Sequence, residues 1–159
     1  MNIEANIEWK RRDAKFHDNR YSRAHTWRFD GGANVLASSS PDIVPVPMSD
    51  TAAIDPEEAF VASLSSCHML WFLAVAAKAK FVVDQYKDHA IGEMRRSETG
   101  KLVVDVVTLR PDVKWSMYRL PTAAEIVQMH DDAHDECFIA NSVKTTVRIE
   151  PIETSQRHK

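Results

Sequence analysis

Hydrophobic and polar positions alternate in short runs through the first forty residues, a pattern typical of β-strands. In the stretch "RYSRAHTWRF", every second position from Tyr21 falls on one face: Tyr21, Arg23, His25, Trp27 and Phe29. The "DGG" that follows is a hairpin turn signal, and "ANVLAS" predicts the partner strand. Three prolines between residues 38 and 54 predict a loop, because each lacks a backbone donor. We therefore expect N-terminal strands and a proline-rich loop over residues 1–54.

The next segment, "DPEEAFVASLSSCHMLWFLAVAAKAK", predicts a long helix over residues 55–80. Asp55 can cap it, Pro56 suits the first helical position, and Glu58 completes a capping box. A transmembrane helix is the alternative, because Ala59 to Ala77 contains no charged residue and is long enough to span a bilayer. Three serines and a histidine near its centre favour instead a helix buried in protein.

The remaining segments predict a hairpin over residues 81–120, a second helix over 121–137 that opens at a proline, and a last strand within 138–152. Residues 153–159 are expected to form a frayed tail. The element order is then β-β-β-α-β-β-α-β, in one domain covering residues 1–159. This is an α+β fold, with an antiparallel or mixed sheet packed on two helices.

Composition narrows the function classes. Hydrophobic residues make up 44% of the chain and charged residues 27%, with a net charge of −3, as in soluble globular proteins. Basic residues form no stripe, so we expect neither a nucleic-acid nor a membrane partner. No apolar run of signal-peptide length opens the chain, which favours the reducing cytoplasm. There, two cysteines are more often catalytic, redox-sensing or metal-binding than a structural disulfide. No glycine-rich phosphate loop indicates a cofactor.

Two residues have both a structural and a chemical interpretation. Cys67 lies on an apolar stripe of the first predicted helix, where a free cysteine can be inert packing or a nucleophile. Arg23 shares its predicted strand face with Trp27 and Phe29. A buried guanidinium there needs an anionic partner, because it cannot lose its charge. The alternative is that Arg23 extends to solvent at the sheet edge.

A metal site is a further alternative. His130, His134 and Cys137 fall on one stripe of the second predicted helix, and with Cys67 or His68 they could hold zinc. The neighbouring acidic residues favour a solvated face instead, and no Cys-x2-Cys or His-Glu-x2-His spacing supports a metal.

Two separated motifs resemble those of the osmotically inducible and organic hydroperoxide resistance proteins, the OsmC/Ohr family. "DPEEAFVASLSSCHML" is similar to the family's helix motif, an Asn/Asp-Pro-Glu start followed by a cysteine ten residues after the glutamate. "HDDAHDECFIANSV" is similar to its second motif, a cysteine at a helix end. The resemblance implies an intertwined homodimer without a cofactor. The implied activity is a thiol peroxidase that reduces organic hydroperoxides to alcohols and is restored by an external dithiol.

Carried over by position, the resemblance makes Cys67 the peroxidatic cysteine and Cys137 the resolving cysteine, joined in a disulfide during turnover. Glu57 matches the glutamate that holds an arginine, and Arg23 is the nearest match to that arginine, with Arg20 and Arg28 as competitors. The chain departs from the family pattern at Phe138, where the family usually has proline.

Helix geometry adds an expectation about the dimer. Glu57 and Cys67 are ten residues apart, or about 15 Å along one helix axis. We therefore expect Arg23 and Glu57 to serve the partner subunit's Cys67. Two other functions stay open: a non-catalytic dimer that binds a small molecule or senses redox state, and a zinc-binding protein.

Overall fold

The computed structural model describes residues 1–152, so the expected tail over 153–159 lies outside the described residues. By its internal contacts the chain forms two compact units, Met1–Ala59 and Phe60–Lys159. A helix, α1 (Pro56–Lys78), begins in the first unit and continues in the second.

The first unit contains an antiparallel sheet of three strands: β1 (Ala5–Glu8), β2 (His25–Phe29) and β3 (Asn34–Ala37). The predicted hairpin is confirmed, because β2 and β3 pair across the "DGG" turn, in which Gly32 adopts a φ of 87°. The predicted strand from Tyr21 was too long, since β2 begins only at His25. The Arg23 backbone N–H donates to the Met48 carbonyl at 2.7 Å, outside any strand ladder. Arg23 therefore has no strand face.

The start of α1 is as predicted. The Glu58 N–H donates to Asp55 Oδ1 at 2.7 Å, and the Asp55 N–H donates to Glu58 Oε2 at 3.1 Å. This reciprocal pair satisfies two backbone donors at the helix start. The helix ends at Lys78, near the predicted end.

The second unit has two sheets. One pairs β4 (Val83–Asp88) with β7 (Pro111–Trp115), antiparallel. The other has the order β5-β6-β8, formed by Ile91–Arg96, Leu102–Leu109 and Thr146–Ile149, with β8 parallel to β6. The helix α2 (Ala123–Glu136) and a short 3-10 helix (Ala140–Ser142) precede β8. The α+β class with antiparallel and mixed sheets is confirmed.

The hairpin predicted over 81–120 is confirmed in outline, because β5 pairs with β6 across the turn and β4 pairs with β7 in the continuing register. Each arm is divided into two strands, however, so the segment forms four strands in two sheets. The run "LVVDVVTLRPDVKW" reads as one strand but divides at Arg110. There the Arg110 N–H donates to Asp88 Oδ1 at 2.6 Å instead of to a ladder, and the following Pro111 begins a strand in the other sheet. The element order is therefore β-β-β-α-β-β-β-β-α-β.

The helix α2 begins two residues after its predicted start. Thr122 caps it, and Thr122 and Glu125 form a capping box that was not predicted. Cys137 is the C-cap residue, so the predicted helix end is confirmed within one residue.

Two hydrophobic clusters form the core of the second unit, and α1 contributes to both. One is Phe72, Ala76, Phe81, Val113, Met129 and Ala133, and the other is Leu64, Val107 and Leu109. The buried residues of α1 recur every fourth position: Leu64, His68, Phe72 and Ala76. By length and composition α1 could cross a membrane, and in its most apolar stretch 22% of the residues are buried within the described chain.

Candidate functional site

The two cysteine side chains lie side by side in the second unit. Cys67 is near the middle of α1 and is half-buried, whereas Cys137 at the end of α2 is 1% exposed. Both thiols are free, and their side chains are hydrogen-bonded to each other. Burial, and secondly this hydrogen bond, raise the pKa of Cys137 to about 11. Cys137 therefore keeps its proton at neutral pH and donates it toward the Cys67 sulfur.

A cleft of about 490 Å³ opens over Cys67. Its lining residues come from α1 and from the segment after α2: Ser63, Ser66, Cys67, Leu70, Trp71, Ala74, Phe138 and Ile139. Most of the lining surface is apolar, as is usual for small-molecule sites. The two serine hydroxyls donate to helix carbonyls, Ser63 to Phe60 at 2.7 Å and Ser66 to Ser63 at 3.3 Å. The cleft can therefore admit an apolar molecule to Cys67, with Cys137 buried behind it.

Two aromatic residues form one wall of this cleft. Trp71 and Phe138 meet edge to face, with ring centroids 5.4 Å apart and an interplanar angle of 87°. Phe138 immediately follows Cys137, so the wall and the buried thiol share one short segment. Phe138 is 64% exposed, whereas Trp71 packs against the core cluster around Phe72.

A buried histidine pair joins α1 to α2. His68 Nε2 and His130 Nδ1 are 3.0 Å apart, and the two rings are parallel within 9°. Burial is the main cause that lowers the pKa of His68 to about 4 and that of His130 to about 3. Both rings are therefore neutral at neutral pH. Their other nitrogens, His68 Nδ1 and His130 Nε2, have no hydrogen-bond partner among the described residues.

The predicted zinc ligands do not come together. Within residues 1–152, no group of three or more histidine, cysteine or acidic side chains is placed to hold a metal ion. His130 bonds His68, and Cys137 bonds Cys67. The solvated face that the neighbouring acidic residues predicted is wrong for His130, which is 2% exposed. Its pairing with His68 was not predicted.

In the first unit, Arg23 is held by its own neighbours. Its Nη1 donates to the carbonyls of Asn19, at 2.9 Å, and of Tyr21, while Nη2 donates to Asn19 Oδ1 at 2.7 Å. The guanidinium also lies over the Tyr21 ring, 3.8 Å from its centroid. These contacts use three of the five guanidinium N–H groups, so two are available to an anion.

Glu57 and Arg23 do not pair within one chain. The Glu57 carboxylate makes no hydrogen bond or ion pair with any residue in the described range 1–152. Of the competing arginines, Arg28 pairs with Glu8 at 3.2 Å on an exposed surface. The Arg20 side chain has no hydrogen bond or ion pair among the same residues.

Comparison with known proteins places the chain in a family. The sequence profile described as "OsmC-like protein" matches residues 49–151, a range that includes Glu57, Cys67 and Cys137. The chain belongs to the OsmC-like family. An OsmC-like protein of unknown function from Vibrio cholerae is 53% identical, with a TM-score of 0.93 and coverage of 96% of this chain and 99% of that one. A search of curated proteins finds no match.

More distant OsmC-like structures share the fold. An organic hydroperoxide resistance protein from Elizabethkingia anophelis has 16% identity and a TM-score of 0.69, over 95% of this chain and 94% of that one. The organic hydroperoxide resistance protein OhrB of Bacillus subtilis has 16% identity and a TM-score of 0.65, over 96% and 98%. Members of this fold therefore include proteins named for hydroperoxide resistance.

Proposed function

We propose that this OsmC-like chain is a thiol-dependent peroxidase that reduces organic hydroperoxides to alcohols. The observation that supports it is the hydrogen-bonded pair of free thiols, Cys67 and Cys137, with Cys67 lining an apolar cleft and Cys137 buried. A cleft of this kind admits an apolar molecule, and the paired thiols are in contact before any reaction.

In the first step, the thiolate of Cys67 attacks the terminal oxygen of the hydroperoxide. The S–O bond forms as the O–O bond breaks, giving a sulfenic acid and an alkoxide that takes up a proton to leave as the alcohol. The Cys137 S–H lies beside Cys67 and can hydrogen-bond the attacking sulfur.

In the second step, Cys137 attacks the sulfenic acid sulfur, a disulfide forms, and water leaves. The proton on Cys137 must go with that water, because burial raises the pKa of this thiol to about 11. An external dithiol then reduces the disulfide by exchange and is itself oxidised to a disulfide. A dithiol reductant fits the reducing cytoplasm, where we place the protein.

We infer that a second copy of the chain completes the site. Arg23 has two guanidinium N–H groups without a partner among the described residues, and Glu57 has no partner there either. Much of α1 is apolar yet unburied in the single chain, with Leu70 64% exposed. In a homodimer, Arg23 oriented by Glu57 would face the partner's Cys67 and stabilise the departing alkoxide.

A non-catalytic dimer that binds a small molecule or senses redox state is the second candidate. The contacts of Arg23 with Asn19 and Tyr21 favour it, because they use three of the five guanidinium N–H groups within its own chain.

A coupled assay separates the two candidates. Consumption of cumene hydroperoxide is followed with dihydrolipoamide as the reductant, for the wild type, Cys67→Ser and Cys137→Ser. The peroxidase predicts turnover by the wild type, none by Cys67→Ser, and one equivalent consumed without the disulfide by Cys137→Ser. Equal rates for the wild type and Cys67→Ser would exclude the peroxidase.

A further inference from the structure

We propose that Phe138 and Trp71 make the cleft selective for hydroperoxides that carry an aromatic ring. This inference rests on the proposed peroxidase function and adds the substrate class and the residue that determines it.

The geometry of the wall favours an aromatic ligand. Trp71 packs against the core cluster that contains Phe72. Its ring meets the Phe138 ring edge to face, with the two ring centroids 5.4 Å apart. Phe138 is 64% exposed and has no ring contact besides Trp71 among residues 1–152. In the single chain one face of the Phe138 ring therefore has no ring contact among residues 1–152, and a ligand ring can stack on it or meet it edge to face.

The rest of the cleft sets the size and polarity of the ligand. Its volume of about 490 Å³ is within the range for drug-sized molecules, so a ligand as small as tert-butyl hydroperoxide leaves much of the apolar surface in water. None of the eight lining residues is acidic or basic, and both lining serines donate their hydroxyl protons to helix carbonyls. An aryl group in the cleft therefore meets mostly apolar surface.

The position of Cys67 in the cleft also suits an aromatic hydroperoxide. Cys67 and Trp71 are four residues apart on α1 and both line the cleft, so they share one face of the helix. A ring held against the Phe138–Trp71 wall leaves the peroxide group one helical turn away, at the Cys67 sulfur. An arylalkyl hydroperoxide of cumene size meets both requirements.

The test uses a matched pair of product alcohols, so that it needs no turnover. 2-Phenyl-2-propanol and 2-cyclohexyl-2-propanol have the same number of heavy atoms and differ in ring aromaticity. Binding to the reduced protein is measured by calorimetry for the wild type, Phe138→Leu and Phe138→Tyr. Tyr118→Leu, at a residue 95% exposed and outside the cleft, is the control.

We expect the wild type to bind the phenyl alcohol roughly two- to twelvefold more tightly, the range that an aromatic pair adds beyond its area. Phe138→Leu should lose this preference, and Phe138→Tyr and Tyr118→Leu should keep it. Equal affinity of the wild type for both alcohols, or no measurable binding of either, would overturn the inference. A selective cleft without turnover in the peroxidase assay would instead reject the proposed function alone.

Discussion

Acid should destabilise this protein through its buried histidine pair. His68 and His130 are 1% and 2% exposed, and burial lowers their pKa values from 6.5 to about 4 and about 3. The charged groups that act on His68 are His134, which opposes its protonation, and Asp88, which favours it. The electrostatic influence on His130 comes from His68. Neither ring can therefore accept a proton in the fold as readily as in the unfolded chain.

The direction in which stability changes with pH follows from proton binding. Between pH 6.5 and about pH 4 the unfolded chain binds protons at both histidines, and the folded chain does not. The contribution of the histidine pair to the free energy of unfolding is therefore full well above pH 6.5, and it is lost as the pH falls below that value. Each histidine contributes a slope of about 1.4 kcal/mol per pH unit, so the pair contributes at most about 2.7 kcal/mol per unit. From pH 6.5 to 5 the loss is roughly 3 kcal/mol, because the slope is only half its maximum at pH 6.5; this is a large part of the stability of an ordinary domain.

The assay is urea unfolding followed by tryptophan fluorescence, from about pH 7.5 to about pH 4.5. The double variant His68→Leu with His130→Leu removes both partners, which leaves no unpaired buried nitrogen. It should lose most of the slope below pH 6.5. The control is His89→Gln, at an exposed histidine of the same unit, and it should keep the slope. If the wild type and the double variant have equal slopes, the buried pair is not the cause.

Three other predictions follow from local contacts. Gly92→Ala should cost about 1–3 kcal/mol, because its Cβ would lie 2.6 Å from Val61 Cγ2; denaturation measures the loss, and Val61→Ala should restore part of it. In the reduced protein, iodoacetamide should alkylate Cys137 slowly, with a rate rising about tenfold per pH unit to about pH 11; a plateau near pH 8 would contradict the raised pKa. Sedimentation should find a homodimer, and a monomer at all micromolar concentrations would reject the proposal that a partner completes the site.

Local chemistry made the element ends predictable. The Asp55 capping box and the "DGG" turn act over a few residues, so they could be read directly from the sequence. The end of the strand at Leu109 could not be predicted in this way, because its apolar pattern continues across Arg110 into a strand of another sheet. What separates the two strands is a hydrogen bond to Asp88, which is 22 residues away.

The site residues likewise depend on contacts that are distant in the sequence. Arg23 fits the alternating pattern of β2, and the pattern therefore predicted it on a strand face. In the structure its backbone N–H donates to the Met48 carbonyl, and its side chain hydrogen-bonds Asn19 instead. His68 and His130 are 62 residues apart, and only the packing of α1 on α2 brings them together. The contact of Cys67 with Cys137 has the same origin. Spacing carries no signal for either pair, and for the cysteines the expectation came from the family resemblance.

The most direct test of the central claim is to map the thiols after one equivalent of hydroperoxide. The protein is reduced, freed of reductant, treated with cumene hydroperoxide, alkylated and analysed by mass spectrometry. We expect both free thiols to disappear into a Cys67–Cys137 disulfide, and Cys137→Ser to accumulate a sulfenic acid that can be trapped on Cys67. Two thiols that remain fully alkylatable after prolonged exposure would contradict it.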